Sequence, residues 1–256
     1  MTTYPLLLAI LVTFGATGLG ALPALFLKNI SEQRRDFLLG MSGGVMLAAT
    51  CFSLILPAVS RAESRGFPPL TSASLVALML LGGAAVIHLI NEFTPHEHFY
   101  QGREGANARQ LKRIWLFILA ITIHNIPEGL AVGVTAGTGD PAIALPILIG
   151  IGFQDIPEGL VVALALLANG YRMKDAIFVS LITGVVEAMG AAVGFGFVQL
   201  TESVLPWTLA AAGGMMLYVI SHEMIPESHS RGNAKHATGG LMIGFALMLI
   251  LDIALG

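Results

Sequence analysis

Charge is scarce in this chain, and cysteine is almost absent. Charged residues make up 11% of the 256 residues and hydrophobic residues 55%, whereas a typical soluble domain is roughly 25% charged. Because so few charges cannot cover a globule in water, we expect lipid to be much of the solvent. The single cysteine, Cys51, cannot close an internal disulfide. The formal net charge of −3 and the lack of a basic tract argue against a nucleic-acid partner.

Long hydrophobic runs are what the chain has instead. Eight of them are long enough to cross a bilayer, which takes about 20 helical residues. We therefore expect an all-α polytopic membrane protein, a single transmembrane domain over residues 1–256, with eight transmembrane helices. These spans lie near 4–27, 37–60, 70–90, 114–138, 143–169, 175–200, 206–227 and 238–255. The longest connection, 91–113, is expected to be a flexible loop.

The basic residues are distributed unevenly between the two sets of loops. Loops after spans one, three, five and seven hold eleven Lys and Arg residues, and the remaining loops hold two, Arg61 and Arg65. By the positive-inside rule the first set is cytoplasmic. Both termini are then extracytoplasmic, and the loop 91–113 is cytoplasmic.

Two related motifs lie inside the central spans. HNIPEGLAVGV begins at His124 in span four, and QDIPEGLVVAL begins at Gln154 in span five. Both begin near the middle of their span, so we expect both at the bilayer midplane. Residues four apart share a helix face, which places His124 beside Glu128 and Gln154 beside Glu158.

Neighbouring positions in the two motifs add further ligand groups. Asn125 and Asp155 lie about 100° around their helices from the first residue of each motif. Pro127 and Pro157 each remove one amide donor and displace the carbonyl four residues earlier. Each motif therefore offers side-chain ligands and a backbone oxygen.

Buried acids carry the functional argument. Each acid in the middle of a span costs about 2.5–3.5 kcal/mol, and no Lys or Arg lies inside a predicted span to neutralise them. Either the acids are protonated and hydrogen-bonded, or a cation from outside the polypeptide lies among them, and the repeated motif favours the cation. The imidazole of His124 favours Zn²⁺ or Fe²⁺. Met46 could add a thioether, or it could be an ordinary lipid-facing or packing methionine. The acids are Glu128, Asp155, Glu158 and Glu187.

A second group of polar residues lies at the predicted cytoplasmic ends of the spans. Span seven finishes SHEMIPESH, with His222 and Glu223, and span three ends with Asn91 and Glu92. We interpret these residues as part of a route for the metal. His96 and His98 in the loop are metal candidates or simply solvated histidines, and Asp252 in span eight could line the outer mouth.

The sequence contains an internal echo. GGVML begins at Gly43 with Pro57 fourteen residues on, and GGMML begins at Gly213 with Pro226 thirteen residues on. Spans two and seven run in opposite directions, which predicts inverted repeats in a 3+2+3 arrangement, as in many secondary transporters. Gly190 and Gly194 in span six are small residues at helix-packing spacing.

Together these residues resemble the ZIP family of divalent-metal transporters, over nearly the whole chain. The resemblance implies uptake of metal into the cytoplasm through a binuclear midplane site. One position would be built from His124, Glu128, Gln154 and Glu158, with Met46 contributing. The other would be built from Asn125, Glu128, Asp155, Glu158 and Glu187. Ser53, His222 and Glu223 would belong to the pathway, and the loop with His96 and His98 is similar to the family's histidine-bearing regulatory loop.

The resemblance further implies a homodimer and an elevator-like movement of spans one, four, five and six. Many family members have HN in both motifs, whereas span five here reads QD, which favours the prokaryotic branch and leaves metal preference open. We therefore expect a non-enzymatic transporter in a bacterial inner membrane. Its substrate would be zinc, or else iron, manganese or cadmium, with no organic cofactor.

Other functions are compatible with buried carboxylates. A proton- or sodium-translocating carrier could use the same acids, and a metal-sensing membrane protein could bind metal without moving it. An intramembrane metalloprotease is disfavoured, because HEMIP from His222 has Pro226 where the second histidine of H-E-x-x-H would stand.

Overall fold

The computed structural model describes residues 4–26, 31–93, 96–98, 102–104, 113–168, 171–200 and 202–255. Within these residues the regular secondary structure is helical apart from two short strands. The helices are α1 Tyr4–Ala21, α2 Glu32–Ala49, α3 Leu56–Ser64, α4 Pro69–Phe93, α5 Arg113–Gly137, α6 Pro141–Ala168, α7 Met173–Leu200, α8 Leu205–Val219, α9 Ile225–His229 and α10 Ala234–Leu255. The strands are β1 His96–His98 and β2 Gly102–Glu104.

The long helices have the dimensions of membrane spans. Seven described stretches are long and apolar enough to cross a bilayer, and the eighth long helix, α5, packs among them. Lipid cannot hydrogen-bond to backbone amide and carbonyl groups, but a helix pairs these groups within itself. The protein is therefore an integral, polytopic membrane protein. The seven stretches are Pro5–Leu25, Glu32–Ser64, Pro69–Phe93, Pro141–Leu167, Met173–Val198, Leu205–His229 and Ala234–Leu255.

The structure describes only part of the connection between α4 and α5, the segment expected to be a flexible loop. Helix α4 continues to Phe93, and β1 pairs antiparallel with β2, with His96 opposite Glu104. Strand β1 lies against α5. Composition did not predict this strand pair, and the rest of the expected flexible loop lies outside the described residues.

Two spans contain a π-helical turn. Thr50–Ile55 joins α2 to α3, and Ile220–Met224 joins α8 to α9. Each turn precedes a proline, Pro57 or Pro226, at the start of the next helix, where a missing amide proton is tolerated. A π turn inserts a residue and changes the direction of the side chains, and such turns are frequent at functional sites. The two turns begin seven residues after Gly43 and Gly213, the glycines of the sequence echo.

The helices pack in two groups. The motif bundle consists of α1, α5, α6 and α7, and the flanking bundle consists of α2, α3, α4, α8, α9 and α10. The most extensive helix contacts lie within these groups: α2 with α10, α4 with α8, α5 with α7, and α1 with α6 and α7. Smaller contacts of α6 with α2 and of α5 with α8 join the bundles.

Glycines set the close approach of the paired helices. A Cβ added to Gly44 would lie 2.0 Å from the carbonyl oxygen of Leu241, and one added to Gly244 would lie 2.1 Å from that of Met41. The α4–α8 pair repeats this reciprocal contact, with Gly83 against Ala211 at 2.0 Å and Gly214 against Leu80 at 1.9 Å. Only glycine allows backbones to approach so closely.

Glycines also allow close helix contacts within the motif bundle. Gly129 of α5 lies against Glu187 of α7, where an added Cβ would be 2.0 Å from the carbonyl oxygen. From the other side, Cβ atoms at Gly190 and Gly194 would lie 3.1 and 2.6 Å from the carbonyl oxygens of Ile126 and Leu130. The predicted role of Gly190 and Gly194 in helix packing is confirmed.

Candidate metal centre

The turn between α5 and α6 brings the two motifs to the same height. His124 and Gln154 lie fifteen residues on either side of Gly139, which takes a positive φ of 69°. Asp140 then starts α6, because its Oδ1 accepts a hydrogen bond from the amide of Ala142 at 3.1 Å. In an antiparallel helix pair, residues equally far from the turn lie side by side.

Three carboxylates from three helices converge. Glu128 of α5, Asp155 of α6 and Glu187 of α7 each offer an oxygen within 4.8 Å of the others. Their exposed fractions are 0%, 2% and 0%. Ionised together, these groups repel one another strongly, because burial removes the water that would screen them. A dication among them would balance most of the charge.

In the described part of the chain, the side-chain amides of Gln154 and Asn125 supply the three carboxylates with one hydrogen bond. Gln154 Nε2 donates to Glu128 Oε1 at 2.5 Å, and Asn125 Nδ2 donates to the backbone oxygen of Thr183 at 3.1 Å. Their oxygens, Gln154 Oε1 and Asn125 Oδ1, are buried without a hydrogen-bond partner in the described part of the chain.

The groups without partners at this centre share one chemical property: all are acceptor oxygens. Buried polar atoms are normally hydrogen-bonded, so a surplus of acceptors indicates that something other than a protein donor is meant to bind them. Hard and borderline cations bind such oxygens. The carboxylate oxygens without a partner among the described residues are Glu128 Oε2, Asp155 Oδ2, Glu158 Oε1 and both oxygens of Glu187.

His124 reaches across to the other bundle. Its Nε2 contacts Glu223 Oε2 on the π turn after α8, and both side chains are buried. We expected Glu223 at the inner mouth of the route, but the structure places it against the first residue of the span-four motif. The π turn explains this position, since it redirects the side chains that follow Val219. His222 is half-buried, with its ring centroid 5.0 Å from that of Tyr218.

A small cavity continues from the centre. It has a volume of about 30 Å³ and is lined by His124, Glu158 and Glu223, and farther along by Glu227 and Arg231. This volume admits about one water molecule. The cavity runs toward the basic end of the molecule, which we define as the end that carries Arg34, Arg35, Arg231 and Lys235.

The structure places Met46, the pathway residue Ser53 and the predicted outer-mouth residue Asp252 as follows. Met46 is fully buried on α2, which rules out a lipid-facing methionine and leaves packing or ligation. Ser53, on the first π turn, donates to Asp252 Oδ1 of α10 at 2.5 Å. These two residues, far apart in sequence, thus form one polar site.

The structure places two of the predicted exit residues on α4. Asn91 is 3% exposed, and its Oδ1 has no hydrogen-bond partner among the described residues. Glu92 is exposed and lies 3.6 Å from His88. His96 and His98 lie on β1, but their side chains lie outside the described part of the chain.

Sequence reasoning missed a buried ion-pair network. Arg231 Nη1 donates to Asp36 Oδ1 at 2.6 Å and Nη2 donates to Glu227 Oε1 at 2.5 Å, while Asn233 Nδ2 donates to Asp36 Oδ2 at 3.0 Å. Arg231 lies in the turn between α9 and α10, as expected of a loop residue, but its side chain is only 2% exposed. The spacing of Glu227 and Arg231, four residues apart, could have indicated their pairing. Nothing local indicates Asp36.

Comparison with known proteins shows the family of this chain. A model of the ZIP zinc transporter family matches residues 95–252. The chain is also 46% identical over 250 residues to the zinc transporter GufA of Myxococcus xanthus, with 98% of each chain covered. The chain belongs to the ZIP family.

Other ZIP relatives place it within the family. The chain is 47% identical over 243 residues to the zinc transporter ZIPB of Bordetella bronchiseptica, covering 95% of this chain and 79% of that one. It is 31% identical over 338 residues to the zinc transporter ZIP11 of Homo sapiens, covering 100% of this chain and 98% of that one. The resemblance read from the two motifs is confirmed, and the higher identity to bacterial relatives supports the prokaryotic branch. All three relatives are named as transporters.

Proposed function

We propose that this ZIP transporter carries Zn²⁺ as its first substrate, with iron, manganese and cadmium as further candidates, and moves it into the cytoplasm. One observation carries the proposal: three buried carboxylates lie within 4.8 Å of one another, in a centre whose oxygens without partners are all acceptors. A dication satisfies both the charge and the coordination of this centre. The names of the matched relatives support zinc.

The ligand groups of the centre would divide between two ions that share ligands. Asp155, Glu187 and the Asn125 oxygen would hold one ion. His124 and Gln154 would hold the other, with Met46 as a possible thioether ligand. Glu128 and Glu158 would bridge the two positions, since each has an oxygen without a partner among the described residues. The position with His124 includes an imidazole, whereas the other has only oxygen ligands. The His124 position would therefore be the more selective for zinc.

The route would cross the membrane from the Ser53–Asp252 site to the basic end. The excess of Lys and Arg at that end supports a cytoplasmic location for it and extracytoplasmic termini. An ion would pass from the centre to Glu223, which contacts His124, and leave past His222, Asn91 and Glu92. His96 and His98 would lie beyond this exit.

The two bundles would provide the movement. The reciprocal glycine contacts of spans two and eight are matched by those of spans seven and three, and both π turns follow the GG echo. This pattern supports inverted repeats in a 3+2+3 arrangement. The motif bundle would move against the flanking bundle, in a homodimer in a bacterial inner membrane, as the family resemblance implies.

Reconstituted protein tests the proposal. Zn²⁺ uptake into proteoliposomes would be measured for wild type, Glu158→Ala and His124→Ala, with Glu63→Gln as a control for loss of an exposed acid. We expect Glu158→Ala to lose uptake, His124→Ala to lose at least about tenfold, and Glu63→Gln to match wild type. Equal rates for wild type and Glu158→Ala would refute the metal route. Cation flux that survives His124→Ala without metal binding would favour a proton or sodium carrier, and metal binding without flux would favour a sensor.

A further inference from the structure

A buried arginine lies on the inner part of the cavity, between two carboxylates from different helices. Arg231 donates a hydrogen bond from Nη1 to Asp36 of α2 at 2.6 Å and another from Nη2 to Glu227 of α9 at 2.5 Å. The side chains of Arg231 and Asp36 are 2% and 0% exposed. The guanidinium occupies the space between the two carboxylates, and Arg35 lines the same cavity.

This network is continuous with the metal centre. Glu223 contacts His124, and Glu227 and Arg231 follow at intervals of four residues and line the same cavity as His124 and Glu158. Glu158 is 6% exposed, and its Oε1 has no hydrogen-bond partner among the described residues. The cavity thus has an oxygen available for a cation at one end and a protein cation at the other.

We propose that Arg231 is a built-in counter-cation that closes the inner end of the metal route. Glu227 is then a metal ligand whose carboxylate pairs with Arg231 between transport events. A dication that leaves Glu223 takes the oxygens of Glu227 and displaces the guanidinium. The return of Arg231 then expels the ion toward the basic end. This inference deepens the proposed function and rests on it.

The physical reason is competition for the same oxygens. Removal of one partner from a buried ion pair leaves an uncompensated charge, so Asp36 and Glu227 without Arg231 would attract the nearest cation. In a metal transporter that cation is the substrate, and a strong site at the exit would hold it. A guanidinium is always charged and binds carboxylates through a planar fork, which makes it a permanent and reversible substitute for the ion.

Metal counting tests the inference. Purified, metal-stripped protein would be dialysed against Zn²⁺, and bound zinc per chain measured for wild type, Arg231→Gln, Arg231→Lys and the double variant Arg231→Gln/Glu227→Gln. We expect Arg231→Gln to hold one more Zn²⁺ than wild type. Arg231→Lys, which keeps the charge, and the double variant should match wild type. Arg61→Gln, which removes an arginine from an ion pair with Asp140 at 3.6 Å elsewhere on the molecule, should also match wild type.

Two results would overturn the inference: a folded Arg231→Gln with wild-type stoichiometry, or an extra ion that persists in the double variant. If Arg231→Gln does not fold, Glu227→Gln replaces it, because an amide oxygen can still accept from Arg231. We expect Glu227→Gln to slow uptake about tenfold with unchanged binding at the centre, and wild-type uptake would refute the role of Glu227. A wild type that neither binds nor moves zinc would refute the proposed function itself.

Discussion

At the scale of single residues, the centre is unusual in the direction of its amide groups. The side-chain nitrogen of Gln154 donates to Glu128, and that of Asn125 donates to the backbone of Thr183. The two amide oxygens have no hydrogen-bond partner among the described residues. Among the described residues, the centre therefore has many hydrogen-bond acceptors and few donors. We expect this arrangement to lower the stability of the metal-free protein, and binding of a dication to restore it.

Glu187→Gln should separate stability from binding. Glu187 is fully buried, and neither oxygen has a hydrogen-bond partner among the described residues. An amide of the same shape removes one charge from a repelling group, so we expect the metal-free protein to melt about 2–4 °C higher. The stabilisation that added Zn²⁺ gives should shrink at the same time. Thermal unfolding in detergent, with and without zinc, measures both effects.

The matched control for this variant is Glu63→Gln, an exposed acid on α3. It should change neither the melting temperature nor the response to zinc. A Glu187→Gln protein that melts lower without metal and keeps the full zinc response would contradict the assignment of Glu187 to the centre.

At the scale of elements, glycines and π turns decide how helices meet. Reciprocal glycine contacts bring the α2–α10 and α4–α8 backbones together, and the two π turns direct Ser53 and Glu223 to polar partners. The sequence echo at Gly43 and Gly213 predicted that spans two and seven correspond. It did not predict the π turns, because their geometry depends on the packing around them.

Adjacent glycines on α2 allow a direct test of this packing. A Cβ at Gly44 would lie 2.0 Å from the Leu241 carbonyl oxygen, whereas one at Gly43 would make an ordinary contact of 3.7 Å with Met224. We expect Gly44→Ala to destabilise the protein by about 1–3 kcal/mol, as overpacking does. Gly43→Ala should be neutral or stabilise slightly, because alanine favours helix. Denaturation of the two variants side by side measures the difference, and equal stabilities would contradict the close contact.

At the scale of the whole molecule, two bundles meet at a polar seam. His124 contacts Glu223 across it, and Ser42 of α2 donates to the backbone oxygen of Gln154 of α6 at 3.4 Å. Polar contacts between bundles can be exchanged more readily than the glycine contacts within them. The molecule is thus built so that movement between the bundles would change the surroundings of the metal centre.

Orientation in the membrane can be tested by cysteine labelling. In a Cys51→Ser background, Glu63→Cys and Lys235→Cys place single thiols on exposed positions at opposite ends of the molecule. We expect a membrane-impermeant maleimide to label Glu63→Cys in intact cells, and Lys235→Cys only after the membrane is permeabilised. The reverse pattern would place the basic end outside and would overturn the proposed direction of uptake.

The sequence by itself determined the membrane class, the positions of the long helices, the two motifs and the family, because hydrophobic runs and motif residues are local properties of the chain. The tertiary structure alone decided which oxygens converge, where Glu223 lies and which carboxylates Arg231 joins. Asp36 and Arg231 are separated by 195 positions, and only the packing of α2 beside α9 and α10 brings them together. Contacts between distant residues depend on how helices pack, and no local pattern encodes that.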